Sequence, residues 1–122
     1  MGTPEKLVIM ATHGPDDPEL ATLPFTMAAA ALASDVDVVM GFQGEGCLLL
    51  KKGVAETVSV PNLTPISGLI GTIAELGGKL LVCWPGLQSR GLDQDDLVEG
   101  AEIVAAARLI VEVTAATNTL TY

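Results

Sequence analysis

Three short segments of almost unbroken apolar sequence constrain the fold of this chain more than any other feature. They are KLVIMAT at 6–12, DVDVVMG at 35–41 and KLLVCW at 79–84. Strands that helices cover on both faces of a parallel sheet have this composition, whereas strands with one wet face alternate apolar and polar residues. The three segments therefore predict buried strands of an α/β domain.

The first helix is predicted from the Ala-rich segment 20–34. Because proline suits the first turn of a helix, Pro24 indicates that the regular helix starts just after Thr22, which would be its N-cap. Asp16 and Asp17 lie in the turn-rich loop before this segment. We interpret them as turn or capping residues rather than catalytic acids.

Two further helices are predicted downstream. CLLLKKG at 47–53 follows a Gly-rich turn at 42–46 and reads as a short helix closed by a glycine. The next helix is predicted to take Thr64 as its N-cap, with Pro65 in its first turn. Gly77 ends that helix.

The remaining segments complete an alternating pattern. Residues 54–63 fit either an edge strand or a packed loop, and residues 85–96 read as a polar connection in which Asp93 caps a short turn. The segment AEIVAAARLIVEVTAA at 101–116 is predicted to be the last long helix, and the Thr-rich segment 117–122 a closing strand.

Together these segments predict one domain over residues 1–122, a flavodoxin-like three-layer sandwich. Its mainly parallel sheet would have four or five strands, with helices on both faces. A chain of 122 residues that is 49% hydrophobic can bury one core. The apolar runs are too short to span a membrane, and the charged start MGTPEKLVIM does not fit a signal peptide, so we expect a cytoplasmic protein.

Charge and motif content exclude several classes of function. With 15 acidic against 6 basic residues, the net charge of −9 argues against direct binding of nucleic acid. Two cysteines and one histidine cannot form a four-ligand zinc site without carboxylates, so we predict no metal. The sequence lacks the G-x-G-x-x-G, P-loop and G-x-S-x-G patterns, and we predict no cofactor.

Cys83 is the first candidate for chemistry, because ligands of such sheets bind outside the carboxyl ends of the strands. It ends an apolar strand and precedes Trp84-Pro85-Gly86, whose backbone N–H groups could stabilise a thiolate. Arg90 could fold back to add positive charge. From position alone, a cysteine buried as a small apolar residue is an equally good interpretation.

Three other residues are predicted at the same edge of the sheet. Cys47 starts the short helix after the turn that contains Gly44, but the leucines that follow favour a structural role. His13 follows the first strand and could carry a proton, although an exposed loop histidine is somewhat the better interpretation. A peroxide- or flavin-linked redox protein is a weaker third alternative, because Cys83 has no clear resolving partner, although Cys47 could approach it across neighbouring strand ends.

Four stretches, in this order and spacing, resemble the DsrE/DsrF-like family, which includes the sulfur-relay proteins of the TusBCD type. They are KLVIMAT, VDVVMGFQGEGCLLLKKG, GLIGTIAELGGKLLVCWPGLQSRGL and VEGAEIVAAARLIVEVTAATNTLTY, and they cover nearly the whole chain. Cys83 matches the family's reactive cysteine, and Arg90 with Gly91 matches a trailing Arg-Gly. Trp84-Pro85 departs from the family pattern, and neither Cys47 nor His13 matches a reactive position.

The resemblance implies a sulfur carrier or sulfurtransferase that holds a persulfide on Cys83. It implies partner proteins that donate and accept sulfur, and assembly as a dimer, trimer or hexamer. Some family members lack the cysteine and serve as structural subunits. The alternative function is therefore a non-catalytic oligomeric subunit, or a module of the same fold that binds a partner or a small ligand.

Overall fold

Five strands form the centre of the molecule in the computed structural model, which describes residues 5–122. They are β1 (Lys6–Ala11), β2 (Asp37–Phe42), β3 (Lys79–Cys83), β4 (Ala101–Val104) and β5 (Asn118–Thr121). The order in the sheet is β4-β3-β2-β1-β5, and every neighbouring pair is parallel. Residues 1–4, part of the domain predicted over 1–122 and of the segment judged not to be a signal peptide, lie outside the described range.

Four α-helices and three short 3-10 segments connect the strands. The helices are α1 (Pro18–Ala33), α2 (Ile66–Glu75), α3 (Trp84–Gln88) and α4 (Ala106–Ala115), and the 3-10 segments are Gly44–Leu50, Ala55–Thr57 and Gln94–Asp96. α1 and α2 cover one face of the sheet, where Phe25 packs against Phe42. α4 covers the other face, with Leu109 buried against Val8 and Leu81.

This architecture confirms the predicted three-layer sandwich with a parallel sheet. Its strand order differs from the 2-1-3-4-5 order of flavodoxin itself, because β5, the last strand in the sequence, pairs with β1 and is an outermost strand of the sheet. The carboxyl ends of β1, β2 and β3 lie side by side, so the loops that follow them share one edge of the sheet. That edge carries the candidate site.

The largest correction concerns residues 101–116, which the sequence pattern predicts as one helix. The structure divides the segment into β4 and α4, and Gly100, with a φ of +92°, turns the chain into the strand. The β-branched pair Ile103 and Val104 favours a strand, and four residues of β4 pair with β3. Sheet pairing therefore outweighs the helical tendency of the alanines further along the segment.

The start of α1 is also corrected. The N-cap is Asp17, not Thr22, and its side chain accepts the N–H of Leu20 at 3.1 Å. Pro18 therefore fills the first-turn position that we assigned to Pro24, which instead lies inside the helix. The hydroxyl of Thr22 donates to the carbonyl of Pro18 at 2.8 Å, which satisfies this buried polar group.

The region after β2 also differs from its predicted form. The helix predicted at 47–53 is a 3-10 helix that begins earlier, at Gly44, and ends at Leu50. Gly44 adopts a φ of +55°, which lets the chain enter this helix directly from the end of the strand. Residues 54–63 form no strand. They are a packed loop with Ala55 and Val58 buried, so the packed-loop alternative is correct.

Three further boundaries bear on the predictions. The N-cap of α2 is Pro65 rather than Thr64, without a side-chain hydrogen bond. The connection predicted at 85–96 contains α3, and β3 ends one residue earlier than predicted, at Cys83. Asp93 caps a 3-10 turn through a capping box with Asp96, as predicted.

Candidate functional site

Cys83 is both the last residue of β3 and the N-cap of α3. Cys83 is 8% exposed. It packs on the α4 side of the sheet among Val8, Val39, Leu81, Val104 and Leu109. Within residues 5–122 its thiol caps no backbone N–H. Trp84 follows at once and is 50% exposed, so a nearly buried thiol lies next to a large open aromatic surface.

Cys47 lies on the opposite side of the sheet and is fully buried. Its Sγ donates to the carbonyl of Phe42 at 3.5 Å. Burial raises the pKa of Cys47 to about 11, although the positive charge of Arg90 pulls that pKa down. Cys47 and Cys83 are both free thiols. A thiol that stays neutral at physiological pH suits the structural role expected for Cys47.

Gly86 is the residue through which the segment after Cys83 contacts Cys47. It lies in α3, three residues after Cys83, and a β-carbon at this position would stand 2.6 Å from the Sγ of Cys47. The first turn of α3 therefore rests directly on the buried thiol. Only glycine leaves room for this approach, which sets the path of the chain after Cys83.

Arg90 folds back over α3, as the sequence suggested that it could. Its Nη1 donates to the carbonyl of Gly86 at 3.0 Å, and its Nη2 donates to Glu45 at 2.8 Å. Within residues 5–122 the guanidinium forms no hydrogen bond to Cys83. Arg90 therefore ties the loop after β3 to the loop after β2 rather than directly holding the predicted reactive sulfur.

Sequence reasoning missed Glu45, which lies between Gly44 and Gly46 at the end of β2. A β-carbon on Gly46 would collide with the carbonyl of Ala11, and one on Gly14 would collide with the carbonyl of Glu45. The loops after β1 and β2 are thus pressed together, and this fixes the Glu45 side chain near Arg90. A charged residue between two glycines at a strand end was the signal available in the sequence.

His13 lies at the carboxyl end of β1, away from Cys83. Its Nδ1 is 3.2 Å from a carboxylate oxygen of Asp16, whose other oxygen accepts the N–H of Gly14 at 2.7 Å. The N–H of Gly14 first, and His13 second, lower the pKa of Asp16. His13 is therefore occupied in the turn before α1, and Asp16 and Asp17 have the turn and capping roles expected of them.

A cavity of about 290 Å³ lies at the amino ends of the strands, far from the thiols. It is bounded by Lys6, Asp37, Val38, Val39, Gly77, Lys79 and Glu112. Because these residues include the first residues of β1, β2 and β3, the cavity has no part in chemistry at Cys83. No cluster of three or more His, Cys, Asp or Glu side chains within residues 5–122 could hold a metal ion.

One buried carboxylate, Glu112 of α4, lies beside that cavity. It pairs with the Nζ of Lys6 and accepts from the Nε of Arg108 at 2.8 Å. The hydrogen bond from Lys6, followed by that from Arg108, lowers the pKa of Glu112. The ion pair between Glu112 and Lys6 holds α4 against β1, so it stabilises the fold and takes no part in the candidate site. Among the described residues, no helix combines the length and apolarity needed to cross a membrane.

Two solved structures share this fold across nearly their whole lengths. The ychN protein from E. coli superposes with a TM-score of 0.82, at 19% identity over 97% of this chain and 99% of that one. MTH1491, a protein of unknown function from Methanobacterium thermoautotrophicum, gives a TM-score of 0.78 at 18% identity, with the same coverage. At these identities the likeness is one of fold.

Three uncharacterised archaeal proteins resemble the sequence. MJ0989 of Methanocaldococcus jannaschii is 30% identical over 117 residues, covering 96% of this chain and 99% of that protein. MK0008 of Methanopyrus kandleri is 29% identical over 113 residues, with 90% of each chain covered. MJ0760 of M. jannaschii is 30% identical over 102 residues, but this chain spans only 37% of its length.

The sequence also matches a family model over nearly its whole length. The model of the DsrE/DsrF-like family aligns with residues 5–122, a range that contains all five strands, both cysteines and the Arg90 loop. The resemblance seen in four separate stretches of sequence therefore extends over the whole described structure, and the chain belongs to the DsrE/DsrF-like family.

Proposed function

We propose that this protein carries sulfane sulfur as a persulfide on Cys83 and passes it to a partner protein. Membership of the DsrE/DsrF-like family supports a sulfur-relay type of role. The observation that carries the proposal is the position of Cys83 at the carboxyl end of β3, where it is the N-cap of α3 and its thiol forms no capping hydrogen bond within residues 5–122. Parallel sheets of this kind present their reactive groups at that edge.

The proposed reaction needs no cofactor or oxidant. The thiolate of Cys83 attacks the outer sulfur of a donor persulfide, R–S–SH. A sulfur–sulfur bond forms to Cys83 and the donor's own sulfur–sulfur bond breaks. The proton travels with the transferred sulfur, which gives Cys83–S–SH, and the electron pair leaves on the donor thiolate, R–S⁻. An acceptor thiolate then attacks the outer sulfur on Cys83 and returns the cysteine to its thiolate form.

The first turn of α3 offers one group to the bound sulfur. An N-cap side chain points toward the N–H groups of the second and third helical residues. The second residue here is Pro85, which has no N–H, so Gly86 supplies the available donor. Arg90 supports this arrangement through its hydrogen bond to the carbonyl of Gly86.

Sulfur loading tests the proposal directly. Purified protein is treated with cysteine persulfide and analysed by mass spectrometry under non-reducing conditions. We expect one added sulfur on the peptide that contains Cys83, with loading lost in Cys83→Ser and retained in Cys47→Ala. Loading that survives in Cys83→Ser, or wild-type protein that never takes up sulfur, would refute the mechanism.

A second candidate is a non-catalytic subunit of the same fold. The burial of Cys83 among apolar side chains favours it, because buried cysteines are commonly inert. Alkylation of native Cys47→Ala protein separates the two functions. Labelling of Cys83 in the folded state supports the carrier. Labelling that requires denaturant supports the structural subunit.

A further inference from the structure

The ion pair between Glu45 and Arg90 faces solvent at the edge of the sheet that carries Cys83. The side chain of Arg90 is 23% exposed and that of Glu45 is 47% exposed. The loops after β2 and β3, which the pair joins, are already in contact where Gly86 rests on the Sγ of Cys47 and lies near the backbone of Gly44. The pair is therefore not needed to bring these loops together, and its charges are open to a ligand.

Arg90 lies over the first turn of α3, the helix that begins directly after Cys83. Its Nη1 is 3.0 Å from the carbonyl oxygen of Gly86 and 3.9 Å from the point that a β-carbon on Gly86 would occupy. Gly86 is also the third residue of α3, the helix for which Cys83 is the N-cap. A guanidinium at this place would bind an oxyanion held next to the thiol.

We propose that Glu45 is a specificity-determining residue that keeps Arg90 from binding small anionic sulfur donors such as thiosulfate. The inference rests on the proposed sulfur-carrier function and concerns the choice of donor. Glu45 already accepts from Nη2 of Arg90, so an oxyanion would have to displace a carboxylate that is tethered in place. The net charge of −9 adds repulsion against a dianion at long range.

The two donors differ in what their leaving groups require. With thiosulfate, the thiolate of Cys83 would attack the outer sulfur, the sulfur–sulfur bond would break, and the electron pair would depart on sulfite. The dianionic leaving group gains from a nearby cation. With a persulfide, the proton travels with the transferred sulfur and the leaving group is a thiolate with one negative charge instead of two. A site whose guanidinium is neutralised by Glu45 therefore favours the persulfide.

The test compares donors across three variants. Glu45→Gln removes the carboxylate charge and frees Arg90. Glu56→Gln makes the same charge change at an exposed position in the 3-10 turn Ala55–Thr57. Glu45→Gln combined with Arg90→Gln removes both members of the pair. Sulfur transfer to Cys83 is followed by mass spectrometry with thiosulfate and, separately, with cysteine persulfide, and the melting temperature of each variant is recorded.

We expect Glu45→Gln to raise the ratio of the thiosulfate rate to the persulfide rate about tenfold at low ionic strength. The gain should shrink as salt is added, and it should be absent from Glu56→Gln and from the double variant. An unchanged ratio in Glu45→Gln, or a gain that persists without Arg90, overturns the role of Glu45. Failure of the wild type to accept sulfur from either donor overturns the carrier function instead.

Discussion

At the scale of single residues, the contact between Gly86 and Cys47 determines the geometry next to Cys83. The buried thiol occupies the space that any side chain at position 86 would need. Cys47 thus has a structural role, because its sulfur sets the position of Gly86. Its raised pKa makes it a poor nucleophile. Cys83, the proposed sulfur carrier, and the buried Cys47 are separate residues that both adjoin the first turn of α3.

Gly86→Ala is expected to destabilise the protein by about 1–3 kcal/mol, because the new β-carbon meets Sγ of Cys47 in a packed interior. Urea unfolding measures the loss. The penalty should fall when the same substitution is made in a Cys47→Ala background, since the obstructing sulfur is gone. Gly71→Ala in α2, where nothing lies within 4 Å of the new carbon, is the control. An equal penalty in both backgrounds would contradict the contact.

At the scale of secondary-structure elements, β1, β2 and β3 were predictable because each is a nearly unbroken apolar run. β4 was not, because its four residues are followed directly by an alanine-rich helix and share its composition. Only pairing with β3 distinguishes this strand from a helical turn, and a sequence read locally does not contain that partner. The sequence also did not identify Asp17 as the N-cap of α1, because Pro24 indicated a helix start further along the chain than Pro18 does.

The candidate site, like the secondary structure, was predictable from the sequence only in part. Cys83 was identifiable, because a cysteine that ends a buried strand is visible in the sequence. The pairing of Glu45 with Arg90 was not, since 45 residues separate the two and two loops must first pack together. Long-range ion pairs of this kind follow from the fold, and residue spacing does not predict them.

The fastening of α4 to β1 through Glu112 predicts a pH dependence. The folded-state pKa of Glu112 lies below its ordinary value of 4.5, so its contribution to stability is complete above about pH 4.5 and is lost as the pH falls through the folded-state pKa. Glu112→Gln is therefore expected to cost about 1–2 kcal/mol at pH 7 and progressively less on acidification. Thermal unfolding between pH 7 and pH 3 measures this.

Glu99→Gln is the matched control for that experiment, because Glu99 is an exposed carboxylate in the loop before β4. Its substitution should leave the pH profile of the melting temperature unchanged. A Glu112→Gln profile that coincides with that of the wild type from pH 7 to pH 3 would show that the ion pair with Lys6 contributes nothing to stability.

At the scale of the whole molecule, charge and apolar surface are unevenly distributed. The net charge is −9, yet the outer side of α4 exposes Ala107, Ile110, Val111 and Thr114, none of them charged. Ile110 and Val111 are 60% and 59% exposed. A second copy of so acidic a chain can approach with least repulsion along an uncharged face, so we expect self-association through α4.

Light scattering after size-exclusion chromatography tests this expectation. Val111→Asp should shift the protein toward the monomer, since it places a charge in the centre of the contact. Met27→Asp, at an exposed apolar position on α1, should leave the mass unchanged. A wild-type protein that is monomeric at all accessible concentrations would refute the expectation.

The position of β5 beside β1 also governs how the domain must fold. The N–H of Lys6 bonds the side chain of Thr117, 111 residues away, and the first strand completes its pairing only with the last. During synthesis one edge of β1 stays open while the 111 residues that separate Lys6 from Thr117 emerge from the ribosome. Such non-local closure is slow and leaves an aggregation-prone edge. We therefore expect the docking of β5 on β1 to be a late step in the folding of this domain.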